Sequence, residues 1–139
     1  MRQISFRLKP GQFLKEEIEK MVVDRGIRAG VLLSIVGGIE NAVLRMAGSM
    51  PGNNVIKTWD GPFEIVSGTG TISDEGCHIH VSLSDLEGQV IGGHLKDGCR
   101  VASTAEIVIG AFDDAYFHRR PDSETGYSEL FIEPADRPS

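Results

Sequence analysis

The chain has 139 residues, 40% hydrophobic and 24% charged, with 14 Lys and Arg against 20 Asp and Glu for a net charge of −6. That length supports one hydrophobic core, so residues 1–139 read as a single domain with a short flexible tail from about 134 to 139. The composition excludes a disordered chain and a fibrous repeat, and the acidic balance opposes sequence-independent nucleic-acid binding, which needs cationic side chains to displace counterions.

The N-terminus, MRQISFRLKPGQ, lacks the apolar stretch of a signal peptide, and no run approaches the roughly 18 apolar residues of a membrane span. A cytoplasmic protein that does not enter membranes is expected. Ile4, Phe6 and Leu8 alternate in a first strand over residues 2–8, which Pro10 and Gly11 break. Residues 12–25 place Phe13, Leu14, Ile18, Met21 and Val22 at helical spacing, with Gly26 as the stop.

GVLLSIVGGI (residues 30–39) is apolar and β-branched, and Gly37 and Gly38 argue for strand over helix. Further strands are predicted at 42–47, 55–59 and 61–71, the last two separated by Asp60-Gly61. Others follow at 77–84, 89–95, 103–111 and 128–133. His118, Arg119 and Arg120 form the densest basic cluster, read as a solvated loop diluted by Asp113, Asp114, Asp122 and Glu124. Cys77 and Cys99 are too few for a disulfide framework and read as reduced packing residues. Many short strands with one clear helix predict an α+β domain built on antiparallel sheet.

CHIHVSLSDLEGQVIGGHL (residues 77–95) holds three of the four histidines. His78 and His80 lie two apart in an alternating stretch, so both rings project from one face of a strand. Whether His94 joins them depends on hairpin register. The connection Asp85-Leu86-Glu87-Gly88 suits a type I turn closed by a glycine of positive φ, with Asp85 opposite Gln89. That register sets His94 directly across from His80 and diagonal to His78, with Cβ separations of roughly 4.5–5.5 and 7–8 Å. A two-residue turn would send His94 to the other face.

Gly92 and Gly93 mark a bulge or a close backbone approach. Three neutral imidazoles on one face suit zinc or a similar divalent transition metal, and leave a tetrahedral ion one position for water or a small-molecule ligand. Glu64, Asp85 and Glu87 are the candidate general bases, although each also fits an exposed strand or turn carboxylate. Arg45, ending AVLR, is a candidate anion or partner contact, the alternative being a surface cation paired with a carboxylate.

With these residues identified, the chain closely resembles the PPC domain of plants and prokaryotes, in the form of a stand-alone prokaryotic member. The resemblance runs from the KPGQ-helix start to AEIVIG and is carried by SIVGGIENAVLR (34–45), GPFEIVSGTGTI (61–72), HIHVSLSDLEGQVIGGHL (78–95) and AEIVIG (105–110). It implies an α+β fold whose central, mainly antiparallel sheet is flanked by helices, assembled as a homotrimer. It also implies, for some stand-alone members, a metal held by histidines matching His78, His80 and His94. In the plant members a segment resembling Gly61 to Val66 contacts partner transcription factors, and here Pro62 and Val66 depart from its pattern. A glycine-opened strand packing Phe63 and Ile65 is the simpler reading. The Arg-Gly-Arg-Pro element of an AT-hook does not occur in the chain, so DNA binding is the least favoured function. A trimeric metal-binding protein is the first expectation and an assembly or regulatory module recruiting partners through the trimer is the second. A metal-dependent enzyme acting on a small molecule stays open beside the first.

Overall fold

The computed structural model describes residues 1–136, and the outer part of the expected tail, 137–139, lies outside the described residues. The order is β1 (Arg2–Leu8), α1 (Leu14–Asp24), β2 (Gly30–Arg45), β3 (Ile56–Ile72), β4 (His78–Ser84), β5 (Val90–Leu95), β6 (Val101–Ala111), β7 (Ala115–Pro121) and β8 (Ser128–Pro134). Strand accounts for 60% of the chain and helix for 8%. The expected α+β architecture, a sheet flanked by helices, is therefore corrected: this is an antiparallel β fold with a single helix among the described residues. The physical reason is that helical spacing of apolar residues is confined to α1, while most of the remaining chain alternates or is β-branched and pairs as strand. β2 and β3, at 16 and 17 residues, each run through a stretch that sequence patterning had divided in two. A bulge between Ile39 and Asn41 carries β2 past Glu40, whose N–H is satisfied by Arg100 C=O at 2.8 Å, so β3 continues through Asp60-Gly61 without a turn.

Six strands form one sheet in the order β1-β6-β2-β3-β4-β5, every pairing antiparallel. The far end of β2 pairs a second time, Leu44 with Leu95 and Arg45 with His94 on β5, so β2, β3, β4 and β5 close on themselves. The core occupies the inner face, where Leu44, Ile79, Leu83, Leu95 and Ile109 are fully buried. The helix adds Leu14, Ile18 and Val22, spaced four apart and fully buried, to the same core, while Glu16 and Glu17 place negative charge in its first turn.

The closure depends on Gly93. A Cβ there would stand 2.9 Å from the carbonyl oxygen of Arg45 and 3.2 Å from the Leu44 side chain. Gly93→Ala is expected to force β5 away from β2 and to destabilise the fold by about 1–3 kcal/mol, the usual cost of overpacking. A lowered midpoint in urea or thermal unfolding is the readout, and an unchanged midpoint would show that the seam is not tight.

Candidate metal centre

The turn after Ser84 forms as its chemistry dictates. Gly88 takes φ +81° and donates to Asp85 C=O at 3.1 Å, and Asp85 N–H donates to Gln89 C=O at 2.9 Å. Asp85 Oδ1 accepts the N–H groups of Glu87 and Gln89, both at 2.9 Å, which makes this carboxylate a turn-builder. The register that results pairs Ser84 with Val90 and His80 with His94, as the sequence predicts. Because Ile79, Val81 and Leu95 point into the core, alternation turns all three histidines outward.

The rings meet. Their centroids lie 4.9 Å apart for His78–His80, 4.7 Å for His78–His94 and 5.6 Å for His80–His94. His78 Nε2 and His80 Nε2 are 3.1 Å apart, and one nitrogen from each ring falls within 4.8 Å of the other two. A tetrahedral zinc with bonds of 2.0–2.1 Å holds its nitrogens about 3.3 Å apart, so the widest pair must close by no more than about 1.5 Å, a side-chain adjustment. The donor set, three imidazoles without a carboxylate, fits zinc or a neighbouring transition metal and not calcium or magnesium.

Burial and neighbouring charge disfavour protonation of His78 and His94. Burial, followed by the adjacent Arg45 guanidinium, lowers the His94 pKa to about 3. Burial and then His80 lower that of His78. Both shifts favour the neutral ring, the form that binds metal.

The strand pairing adds a fourth residue to the row. Arg45 stands opposite His94 across the β2–β5 seam, and its Nη2 donates to His94 Nδ1 at 3.1 Å while its guanidinium lies 5.0 Å from the centroid of the Tyr127 ring. Arg45 is thus neither a free surface cation nor, among the described residues, partner to a carboxylate.

Above this row lies the hairpin of β7 and β8. His118, Arg119 and Arg120, read from sequence as a solvated loop, lie instead in β7, a strand in register with β8 that sets His118 opposite Phe131. Phe117 N–H donates to Arg28 C=O at 2.9 Å, Arg119 Nη2 donates to Thr71 Oγ1 at 2.8 Å, and Tyr127 Oη donates to Asn54 Oδ1 at 2.8 Å. The hairpin roofs a cavity of about 210 Å³ that includes Arg45, Cys77, His78, His94, Arg119, Tyr127 and Glu129 in its walls. Arg119, Tyr127 and Glu129 were not distinguished as site residues in the sequence. The signal available was AYFHRRP followed by SELFIEP, two alternating runs around the turn-forming DSETG.

Glu64, Asp85 and Glu87 are not part of this cavity. Asp85 lies five strand residues beyond His80, roughly 16 Å at 3.3 Å per residue, and Glu64 pairs with Ser84 at the same end of the hairpin. Cys77 and Cys99 are free and buried, and burial pushes the Cys77 thiol up to about 11, so it is neither thiolate ligand nor nucleophile at neutral pH. Phe63 and Ile65 are buried and Val66 is exposed, in keeping with the simpler reading of residues 61–66 as a packed strand.

The sequence profile of the Plants and Prokaryotes Conserved (PCC) domain matches residues 1–113. A hypothetical protein from Salmonella enterica is 34% identical and superposes with a TM-score of 0.89, covering 96% of this chain and 94% of that one. A protein from Archaeoglobus fulgidus described as metal-containing is 29% identical at a TM-score of 0.81, covering 94% of both chains. Among curated relatives, the bifunctional protein GlmU of a Synechococcus strain is 40% identical over 92% of this chain. The AT-hook motif nuclear-localized protein 13 of Arabidopsis thaliana is 32% identical over 84% of it. The chain spans 20% of that GlmU and 28% of that plant protein.

The β7–β8 hairpin is fastened by a titratable group. His118 Nε2 contacts Glu133 Oε2 at 2.7 Å and Nδ1 contacts Glu75 Oε2, so the ring joins β8 to the loop before β4. Its side chain is 19% exposed, and the hydrogen bonds to Glu133 and then Glu75 outweigh desolvation and raise its pKa above the ordinary 6.5. A raised folded-state value means that the stabilisation is fully present below 6.5 and lost as pH rises through the folded pKa. The melting temperature of His118→Gln should therefore fall further below wild type at about pH 5.5 than at about pH 8.5. An equal gap at both would remove the charged histidine from the fastening.

Proposed function

This chain belongs to the Plants and Prokaryotes Conserved domain family, and from that premise we propose that it is a trimeric metal-binding protein whose ion is held by His78, His80 and His94. The observation that carries the reading is the convergence of three outward imidazoles, each offering a nitrogen within 4.8 Å of the others. The metal-containing relative from Archaeoglobus fulgidus supports it. Zinc, or a similar divalent transition metal, is the ion the donor set favours.

When bound, such an ion supplies a Lewis acid with one position for a small ligand. The chain's own residues would do the rest. His80 and His94 fix the spacing through strand register, Arg45 and Arg119 set a positive potential in the cavity, and the β7–β8 hairpin limits access of water. The cavity's one carboxylate is Glu129, exposed at the rim.

Metal per subunit in untagged protein, after reconstitution with zinc, tests this. Wild type should hold about one ion, and His94→Ala should lose most of it, because removing one ligand of three leaves a weak two-imidazole site. Two equally metal-free proteins would end the proposal. The pH dependence is a second measure. Three ordinary imidazoles of pKa 6.5 would weaken binding by about a thousandfold on going to about pH 5.5, whereas His94, lowered to about 3, stays neutral there. The zinc Kd should rise by less than about a hundredfold between pH 7.5 and 5.5.

A second reading, an assembly module whose work is done by the trimer, is favoured by the outer sheet face. Leu33, Val36 and Val66 are 48%, 57% and 58% exposed, and Val36 and Val66 flank the Gly37–Ile65 pair of β2 and β3. Large apolar side chains side by side on one face are the kind of surface that association covers. Light scattering at micromolar concentration should give the mass of three chains, and Val36→Glu should shift it towards one. A persistent wild-type monomer would remove both the trimer and this reading.

A further inference from the structure

The cavity beside the histidines holds two guanidinium groups without anionic partners. Arg45 and Arg119 are both half-buried, and among the described residues neither forms an ion pair. Arg119 donates one hydrogen bond to Thr71 Oγ1, and Arg45 donates to His94 Nδ1 and stacks over Tyr127. Charges withdrawn from water are ordinarily paired. In a chain of net charge −6, two arginines without ion pairs lining one partly open cavity stand out as an anion site.

The Arg45–His94 bond ties this space to the metal centre. Neutral imidazole has one lone pair and one N–H, and arginine can only donate, so Arg45 occupies the lone pair on Nδ1. A metal bound at Nδ1 displaces Arg45 directly. A metal bound at Nε2 needs the proton moved to Nδ1, where it would point at another donor. Through either nitrogen, metal binding ends the Arg45–His94 hydrogen bond and frees that guanidinium for the cavity.

We propose that the cavity between the histidine hairpin and the β7–β8 hairpin binds a small monocarboxylic acid, its carboxylate held by Arg119 and by Arg45 once a metal has released Arg45 from His94. The inference rests on the metal reading for its second half, whereas the cavity and Arg119 stand without it. Size favours a small ligand, since the cavity is about 210 Å³ and partly open to solvent. Glu129 at the rim offsets part of the arginines' charge and so lessens the advantage that a dianion such as phosphate would have over a monoanion. The planar forks of two arginines suit a carboxylate. Since metal binding frees Arg45, each ligand should tighten the other by the same factor.

The test is calorimetric titration of the full chain with pyruvate, first zinc-loaded and then metal-free, with inorganic phosphate and uncharged acetone as comparisons. Zinc-loaded wild type should bind pyruvate at least about fivefold more tightly than the metal-free protein, the low end of ordinary site-to-site coupling. Arg119→Gln should weaken pyruvate by about tenfold or more while keeping its zinc, the expected loss of a charged hydrogen-bonding partner. Pyruvate affinity equal in Arg119→Gln and wild type overturns the proposal, as does tighter binding of phosphate or acetone. If zinc stoichiometry is full and pyruvate does not bind, the anion site fails and the metal reading survives. If wild type takes up no zinc, the metal reading fails, and Arg119-dependent binding of pyruvate by the metal-free chain decides the anion site alone.

Discussion

The short pairing of Leu44 and Arg45 with Leu95 and His94 is the contact on which both the core and the site depend. It is two residues long, and the two do opposite things. Leu44 and Leu95 point inward and are fully buried, each worth roughly 1.5–3 kcal/mol of apolar burial. Arg45 and His94 point outward and begin the row of polar groups that continues to His80. A one-residue slip would invert both, placing an arginine and a histidine in the core and two leucines in the cavity. The histidine geometry is therefore protected by the hydrophobic energy of its neighbours, an inexpensive way to hold ligands in place without a closed metal cage. Gly93 is the condition for it, since a larger residue there would meet the Arg45 carbonyl oxygen.

The polar side of that row is a balance of unfavourable terms. Arg45 beside His94 disfavours a positive imidazole, and burial disfavours it more, so His94 holds its lone pair far below the pH at which histidine usually protonates. The same guanidinium consumes the lone pair by hydrogen bonding. The free chain thus satisfies Arg45 and His94 with each other, and the arrangement is self-contained until something competes for one of them. Tyr127 helps by offering its ring face to Arg45, which lets a half-buried cation rest on the cavity wall without a carboxylate.

How much of this was legible in the sequence follows from the range of each interaction. The hairpin register was readable because Asp85 and Gly88 specify the turn locally, and a turn fixes the parity of every pair beyond it. The first strand, the helix and most strand positions were readable from period alone. The β2–β5 seam was not, because it joins residues about fifty positions apart, and no local signal in AVLR names its partner. That is why Arg45 could be noticed but not placed. β8 was read as a strand over 128–133, but its partner β7 was missed because HRR looks like a solvated cluster, although its charges face carboxylates, a threonine and an aromatic ring on neighbouring elements. The expectation of flanking helices came from resemblance, and it failed because only residues 14–24 carry a helical period while most of the other apolar segments pair as strands.

The comparisons place the same domain in very different contexts, covering 20% of a cyanobacterial GlmU and 28% of a plant AT-hook protein. A domain that recurs in such company carries its fold with it more surely than its function, which has to be argued from the side chains a given copy presents. This copy presents a net charge of −6 and no Arg-Gly-Arg-Pro element, a balance that disfavours the phosphate contacts that dominate DNA affinity. Two of its arginines, Arg45 and Arg119, instead line one small cavity beside His78 and His94 and beneath a hairpin. A field confined in that way is felt by a ligand of a few atoms that can enter, and hardly at all by a duplex at the surface, since exposed charges are screened within about 10 Å. The distribution of charge, more than its total, is what turns the reading from a nucleic acid towards a small anion.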